Sequence, residues 1–71
     1  MLTGREREIA NLVSQGFPNK EIGRRLELTT GTIKVHLHNI FSKLAVNNRT
    51  ALTALVVHDR YKIPHSGGWQ T

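Results

Sequence analysis

The sequence predicts an all-α domain of four short helices. Three observations point there. Apolar residues recur at helical spacing in four separate stretches, residues that cap helices stand before them, and Gly or Pro punctuates the gaps. The stretch that organises the rest runs from Thr29 to Leu44. In it Ile33, Leu37, Ile40 and Leu44 follow one another at steps of four, three and four, which lays one apolar stripe along a helix. At about 100° per residue, the opposite face carries Gly31, Lys34, Val35, His38 and Ser42: small, mixed and cationic, with no acid. Such a face suits insertion into a groove. Lys and His donate to acceptors on base edges, and Val meets a thymine methyl. An ordinary surface helix has the same stripe, so this face needs support from elsewhere.

The first helix opens at Leu2-Thr3-Gly4-Arg5-Glu6. Thr3 caps it, and Glu6 three residues later reaches back, which makes a capping box. Leu2 staples onto the helix, and Ile9, Leu12 and Val13 form its inner stripe, with Arg5, Arg7, Glu8 and Asn11 solvated. Gly16 ends the helix, Phe17 folds back onto the core, and Pro18 forbids continuation. Asn19 is the expected cap of a second helix, Lys20 to Leu26, with Ile22 and Leu26 inward. Gly23 costs about 1 kcal/mol against Ala in a helix interior; a close crossing with the next helix is one reason for it. Glu27-Leu28-Thr29 makes a tight turn, with Leu28 plugged into the core and Thr29 capping the third helix. Two short helices, a tight turn and a small residue in the first of them describe a helix-turn-helix.

After Leu44 comes a loop, Ala45-Val46-Asn47-Asn48, with Val46 tucked inward. Asn48 caps a last helix from Arg49 to about Arg60, whose inner face is Leu52, Leu55 and Val56. Its outer face holds Thr50, Ala54, Val57 and Tyr61, which is apolar for a solvent face. The domain therefore spans residues 1–62, and 63–71, with Pro64 and Gly67-Gly68, is a flexible tail in which Trp69 is exposed.

A chain of 71 residues supports one domain and one modest core. With no Cys, disulfides and thiolate metal sites are excluded, which fits the cytoplasm. No apolar run approaches the roughly 20 residues that span a bilayer, and no signal peptide is visible. The formal net charge is +5, unevenly spread. Residues after Leu28 hold five bases (Lys34, Lys43, Arg49, Arg60, Lys62) against Asp59 alone, or +4; those before hold five against four acids, or +1. A basic half carrying a cationic helix face points to a polyanion.

Four motifs, in order, resemble the LuxR-type regulators. Leu2-Thr3-Gly4-Arg5-Glu6-Arg7-Glu8-Ile9 is similar to "LT-x-RERE-(V/I)", and Gly16-Phe17-Pro18-Asn19-Lys20-Glu21-Ile22 to "G-x-(S/P)-NKEI". Thr32-Ile33-Lys34-Val35-His36 with Asn39-Ile40 is similar to "TVK-x-H-xx-NI", and Lys43-Leu44-Ala45-Val46 with Arg49-Thr50 to "KL-x-V-xx-RT". The match covers about residues 2 to 60. The resemblance implies a four-helix LuxR-type helix-turn-helix fold that binds double-stranded DNA as the output domain of a bacterial transcriptional regulator, of the response-regulator or quorum-sensing kind. It implies a third helix in the major groove and a fourth used for dimerisation on an inverted repeat. RNA polymerase is a further partner of that class. Gly23 stands where the family usually has Ala.

With that resemblance, Lys34, Val35 and His38 are the base-edge candidates. Backbone candidates are Asn19 and Lys20 at one helix N-terminus, Thr30 and Thr32 at the next, and Lys43 and Arg49. Thr50, Ala54, Val57 and Tyr61 are the candidates for a weak dimer that strengthens on DNA. No cofactor or metal is expected. His36 and His38, two apart on a helix, point away from each other, and His58 and His65 have no carboxylate or thiol companion in sequence. His36 is expected to pack and hydrogen-bond beside the third helix, and Glu6 and Glu21 to cap or pair with Arg and Lys. An enzyme fits poorly: there is no paired-carboxylate pattern, no phosphate loop and little room for a pocket. The rivals are a protein-interaction module and a promoter-reading fragment of a sigma factor. The first helix cap stands almost at the start of the chain, as expected of an output domain cut from a larger regulator or of a small stand-alone one.

Overall fold

Three helix starts and three helix ends are set by nearby groups that satisfy the backbone. The computed structural model describes residues 2–62, the last four by backbone alone. In order, the helices are α1 (Gly4–Ser14), α2 (Asn19–Leu26), α3 (Thr30–Leu44) and α4 (Arg49–Lys62), with no strand among the described residues. The expected tail, with Trp69, lies outside the described residues, as does the side chain of Tyr61.

Three starts follow from side chains in sequence. The Thr3 hydroxyl accepts from the Glu6 N–H at 3.1 Å, and the Thr3 N–H donates to Glu6 Oε1 at 2.9 Å, closing the capping box. Thr29 Oγ1 accepts from the Thr32 N–H at 3.1 Å. Asn48 Oδ1 accepts from the Ala51 N–H at 2.7 Å. The second start corrects the expectation for Asn19. Pro18 holds the cap position with extended backbone and no capping side chain, and Asn19 is already the first helical residue. Its side chain is used elsewhere.

The three described helix ends share one device. Gly16 (φ 96°), Glu27 (φ 60°) and Ala45 (φ 57°) turn left-handed. The residue after each donates back five positions: Phe17 N–H to the Leu12 carbonyl (3.2 Å), Leu28 to Gly23 (2.7 Å) and Val46 to Phe41 (3.0 Å). This is the Schellman pattern, which satisfies the last carbonyls of a helix. Phe17, Leu28 and Val46 all pack against the core, so each exit also adds apolar burial. Gly23 serves the second exit. A Cβ there would stand 2.5 Å from the Leu28 carbonyl oxygen, so the missing side chain admits the backbone of the turn rather than a crossing with α3.

Ile9, Ala10, Val13, Ile22, Ile33, Leu37, Ile40 and Leu52 form the buried cluster. A fully buried Ile or Leu contributes about 1.5–3 kcal/mol, and Ile9, Ile22, Ile33, Ile40 and Leu52 are all fully buried. α1 is the hub, packing on all three other helices, while α3 also packs on α2. Among the described side chains of α4, Leu52 and Val56 are the ones that reach the core. Leu55, expected inward, is half-buried and lies outside the packed set, because at about 100° per residue it falls on the flank of the helix.

Glu6 is the one buried charged side chain among the described residues, at 4% exposure. Besides the cap it accepts from Lys43 Nζ at 2.9 Å, which joins the start of α1 to the end of α3. A buried charge is tolerated when paired and hydrogen-bonded. The Thr3 backbone N–H first, and then Lys43, hold its carboxyl below the usual glutamate range. A carboxylate with a lowered folded pKa stabilises the fold above its unfolded pKa, and that stability is lost as pH falls through the folded value. Urea unfolding from pH 7 down to pH 3 is therefore expected to show stability falling below about pH 5. The Glu6→Gln variant should be less stable at pH 7 and lose less on acidification. An equal acid loss in both proteins would contradict this role.

Candidate nucleic-acid interface

The apolar stripe of α3 is buried as its spacing requires: Ile33, Leu37 and Ile40 are fully covered and Leu44 half covered. The opposite face is open. Gly31, Lys34, Val35, His38 and Ser42 are all exposed. Val35 is the one large hydrophobic side chain standing well out of the surface among the described residues, at 61% exposure. α3 contains no acid. Lys34 and Lys20 form no ion pair among the described residues, whereas Arg24 and Arg25 both hold Glu21 (2.9 and 3.2 Å) and Arg5 holds Glu8 (3.4 Å). Arg24 leads in keeping the Glu21 carboxyl below its usual range, and Arg25 also lies 4.0 Å over the Phe17 ring. Lys20 on α2 and Lys34 on α3 thus carry positive charge that no described acid balances, as does Arg7 on α1, which reaches only the Leu2 carbonyl at 3.5 Å.

Beside this face lies an open cleft of about 310 Å³, lined by Asn19, Lys34, Leu37, His38, Phe41 and Arg49. It is where α2, α3 and α4 meet. Arg49 fixes that meeting. Its Nη1 donates to Asn19 Oδ1 at 2.6 Å, and its Nη2 to the Phe17 carbonyl at 2.9 Å. The planar guanidinium suits such a two-pronged hold. α2 lacks a side-chain cap, so its leading amides have no side-chain acceptor, and its first residue, Asn19, lines this cleft.

The base-edge candidates Lys34, Val35 and His38 therefore share one open surface. Of the backbone candidates, Lys20 and Thr30 are exposed with free side chains. Thr32 is half-buried, its Oγ1 accepting from the Thr29 hydroxyl at 3.0 Å. Asn19, Lys43 and Arg49 all have protein partners. His36 is half-buried but makes no side-chain hydrogen bond among the described residues, so the hydrogen bond expected of it is not found there. Sequence reasoning missed Phe41, which lines the cleft, and the Arg49–Asn19 pair. Phe41 lies three residues after His38, a helical neighbour in plain sight. The Arg49 pair spans 30 residues and leaves no local signal.

A two-helix turn unit with an open cationic third helix defines a helix-turn-helix domain. A family model, bacterial regulatory proteins of the luxR family, matches residues 1–56. The chain belongs to that family, whose members regulate transcription and are not enzymes. It is 42% identical over 59 residues to the nitrate/nitrite response regulator protein NarL of Escherichia coli, covering 83% of this chain and 27% of that protein. It is 53% identical over 49 residues to the transcriptional regulatory protein LiaR of Bacillus subtilis (69% and 23%). It is 50% identical over 50 residues to the CsgBAC operon transcriptional regulatory protein of Escherichia coli (70% and 23%). The chain thus spans about a quarter of the length of these relatives. No helix among the described residues is long and apolar enough to cross a membrane.

Replacing Arg49 by Ala strands the Phe17 carbonyl and the Asn19 side chain. Hydrogen bonds to charged groups contribute about 1.5–3 kcal/mol each in net terms, so thermal unfolding of Arg49→Ala should show a loss of about that size. A loss under about 0.5 kcal/mol, the size of an ordinary surface substitution, would mean that the brace is dispensable.

Proposed function

We propose that the chain binds double-stranded DNA with sequence preference, as the output domain of a bacterial transcriptional regulator acting in the cytoplasm. The exposed face of α3 enters the major groove, Lys34 and His38 donate to base acceptors, and Val35 meets a thymine methyl. One observation carries this reading. An isolated Val stands out at 61% exposure between two cationic or ionisable side chains on an acid-free helix face. A solvated face gains nothing from that Val, but a groove with a methyl in it does. A protein-interaction module is disfavoured because the surroundings are cationic and the exposed apolar surface is a single side chain.

The backbone contacts fall to Asn19, Lys20, Thr30 and Thr32 near the starts of α2 and α3, where amides and dipole favour phosphate. Lys43 and Arg49 join them while keeping their protein partners. An ammonium has three donors and a guanidinium five, and Lys43 spends one on Glu6 and Arg49 two on Asn19 and Phe17. Binding to a randomised duplex library checks these roles. Lys34→Ala and Val35→Ala should relax base preference, Lys34→Ala at a cost of about 1–3 kcal/mol on the preferred site. Lys20→Ala should weaken all sequences alike and lower the salt slope by about one. Unchanged selectivity in both α3 variants would overturn the assignment.

The second part of the proposal is a dimer through α4 on an inverted repeat, since one recognition helix reads few base pairs. Thr50 and Ala54 are exposed and Val57 is half-buried away from the core set; Tyr61 follows at helical spacing. Small residues let two copies approach about a two-fold axis. So short a patch falls well under the roughly 1,200 Å² of a stable interface, so pairing occurs on DNA, where adjacent sites raise the effective concentration. Val57→Asp should leave binding to one half-site intact and abolish cooperative filling of two. A gel-shift titration on both duplexes decides; wild-type cooperativity in the variant would exclude this surface.

A further inference from the structure

His38 stands apart from the other side chains of the α3 face. It is exposed, lies one turn after Lys34, and lines the cleft. The groups facing it there are Asn19 from α2, Lys34, Leu37 and Phe41 from α3, and Arg49 from α4. Two of these are cations and none is an acid. His38 makes no ion pair or hydrogen bond among the described residues, so no described partner orients its ring.

We infer that His38 is a specificity determinant whose base preference is set by its protonation, so that operator binding takes up a proton. The inference rests on the reading that α3 enters the major groove. Histidine is the side chain whose charge ordinarily changes between pH 5 and 8. The neutral ring has one donor and one acceptor, so it accommodates either kind of base edge; the doubly protonated ring only donates. In the major groove guanine presents two acceptors, N7 and O6, and thymine one, O4, beside its methyl, while adenine adds an amino donor and cytosine presents one. The protonated ring therefore favours guanine, with two acceptors and no donor, over thymine, with one, and rejects the amino groups. The cleft supplies no carboxylate to stabilise that proton, but a duplex brings the negative charge that does. DNA and proton then bind together, and each strengthens the other to the same extent.

The test measures binding of the whole 71-residue chain to its selected duplex between pH 5.5 and 8.5 at fixed salt, for wild type, His38→Gln and His38→Lys. This window lies above the range in which Glu6 and Glu21 titrate, and circular dichroism across it checks that the fold is unchanged. Wild-type affinity should fall as pH rises, by about tenfold per pH unit at most, the limit for one linked proton. His38→Lys, permanently charged, should bind with little pH dependence and keep a preference for guanine. His38→Gln should be weaker at low pH and equally flat. Library selection with wild type at pH 6 should enrich guanine at one position that pH 8 leaves mixed. If wild type binds selectively but without pH dependence, or if His38→Gln keeps the wild-type slope, His38 is not the proton acceptor and the inference fails while the groove reading stands. If no selective binding occurs at any pH, the groove reading itself fails.

Discussion

Glu6 is the constraint on which the rest of the molecule depends. One carboxylate completes the first turn of α1 through the Thr3 N–H and takes the Lys43 ammonium from the last turn of α3. At 4% exposure it sits in the seam between the two helices. An unpaired charge there would be costly, so the two helices must hold their relative position for the charge to be satisfied. Lys43 also complements the dipole at the end of α3. Arg49 does the corresponding work across the cleft, tying α4 to the Phe17 carbonyl and to Asn19 at the start of α2. The apolar stripe of α3 supplies adhesion without direction. The two polar braces supply direction, and with it the attitude of the exposed face.

The course of the four helices was readable because it is locally encoded. Thr3, Thr29 and Asn48 cap within three residues of themselves, and apolar spacing gives the inner faces of α1 and α3. Asn19 misled because Asn is a good cap and stands at the right place. Pro18, with its fixed φ, takes that role instead, which frees the Asn19 side chain for Arg49. Two helix exits used Glu27 and Ala45 in the left-handed region, where Gly or Asn would have been the signal. Their Leu28 and Val46 were nonetheless correctly expected to turn inward, since the Schellman exit rewards an apolar residue at that place. The face of α3 followed from its periodicity, and its composition from the residues themselves. The long-range pairs did not follow. Glu6 and Lys43 are 37 residues apart and Arg49 and Asn19 are 30. No local rule links them, so Lys43 and Arg49 looked like free cations.

That difference alters the picture of the site. Cations engaged with protein partners are pre-ordered, and less side-chain entropy would be lost in the phosphate contacts proposed for them. Lys20 and Lys34 have no ion-pair partner among the described residues. On the proposed reading, a braced frame with a few unpaired donors on the exposed face of α3 suits a small domain that docks in one register. The cost falls on stability, because both braces use charged groups that need their partners. The gain is that a 15-residue helix presents its outward face in a fixed orientation.

The account turns on which face of α3 meets DNA. Backbone amide shifts of the isotopically labelled chain, followed by NMR during titration with its selected duplex, test that directly. The expected result is a set of large shifts at Thr30 to Ser42 and at Asn19 and Lys20, with the central part of α1 little changed. Shifts concentrated on α1 or on α4, with Lys34, Val35 and His38 unmoved, would contradict it.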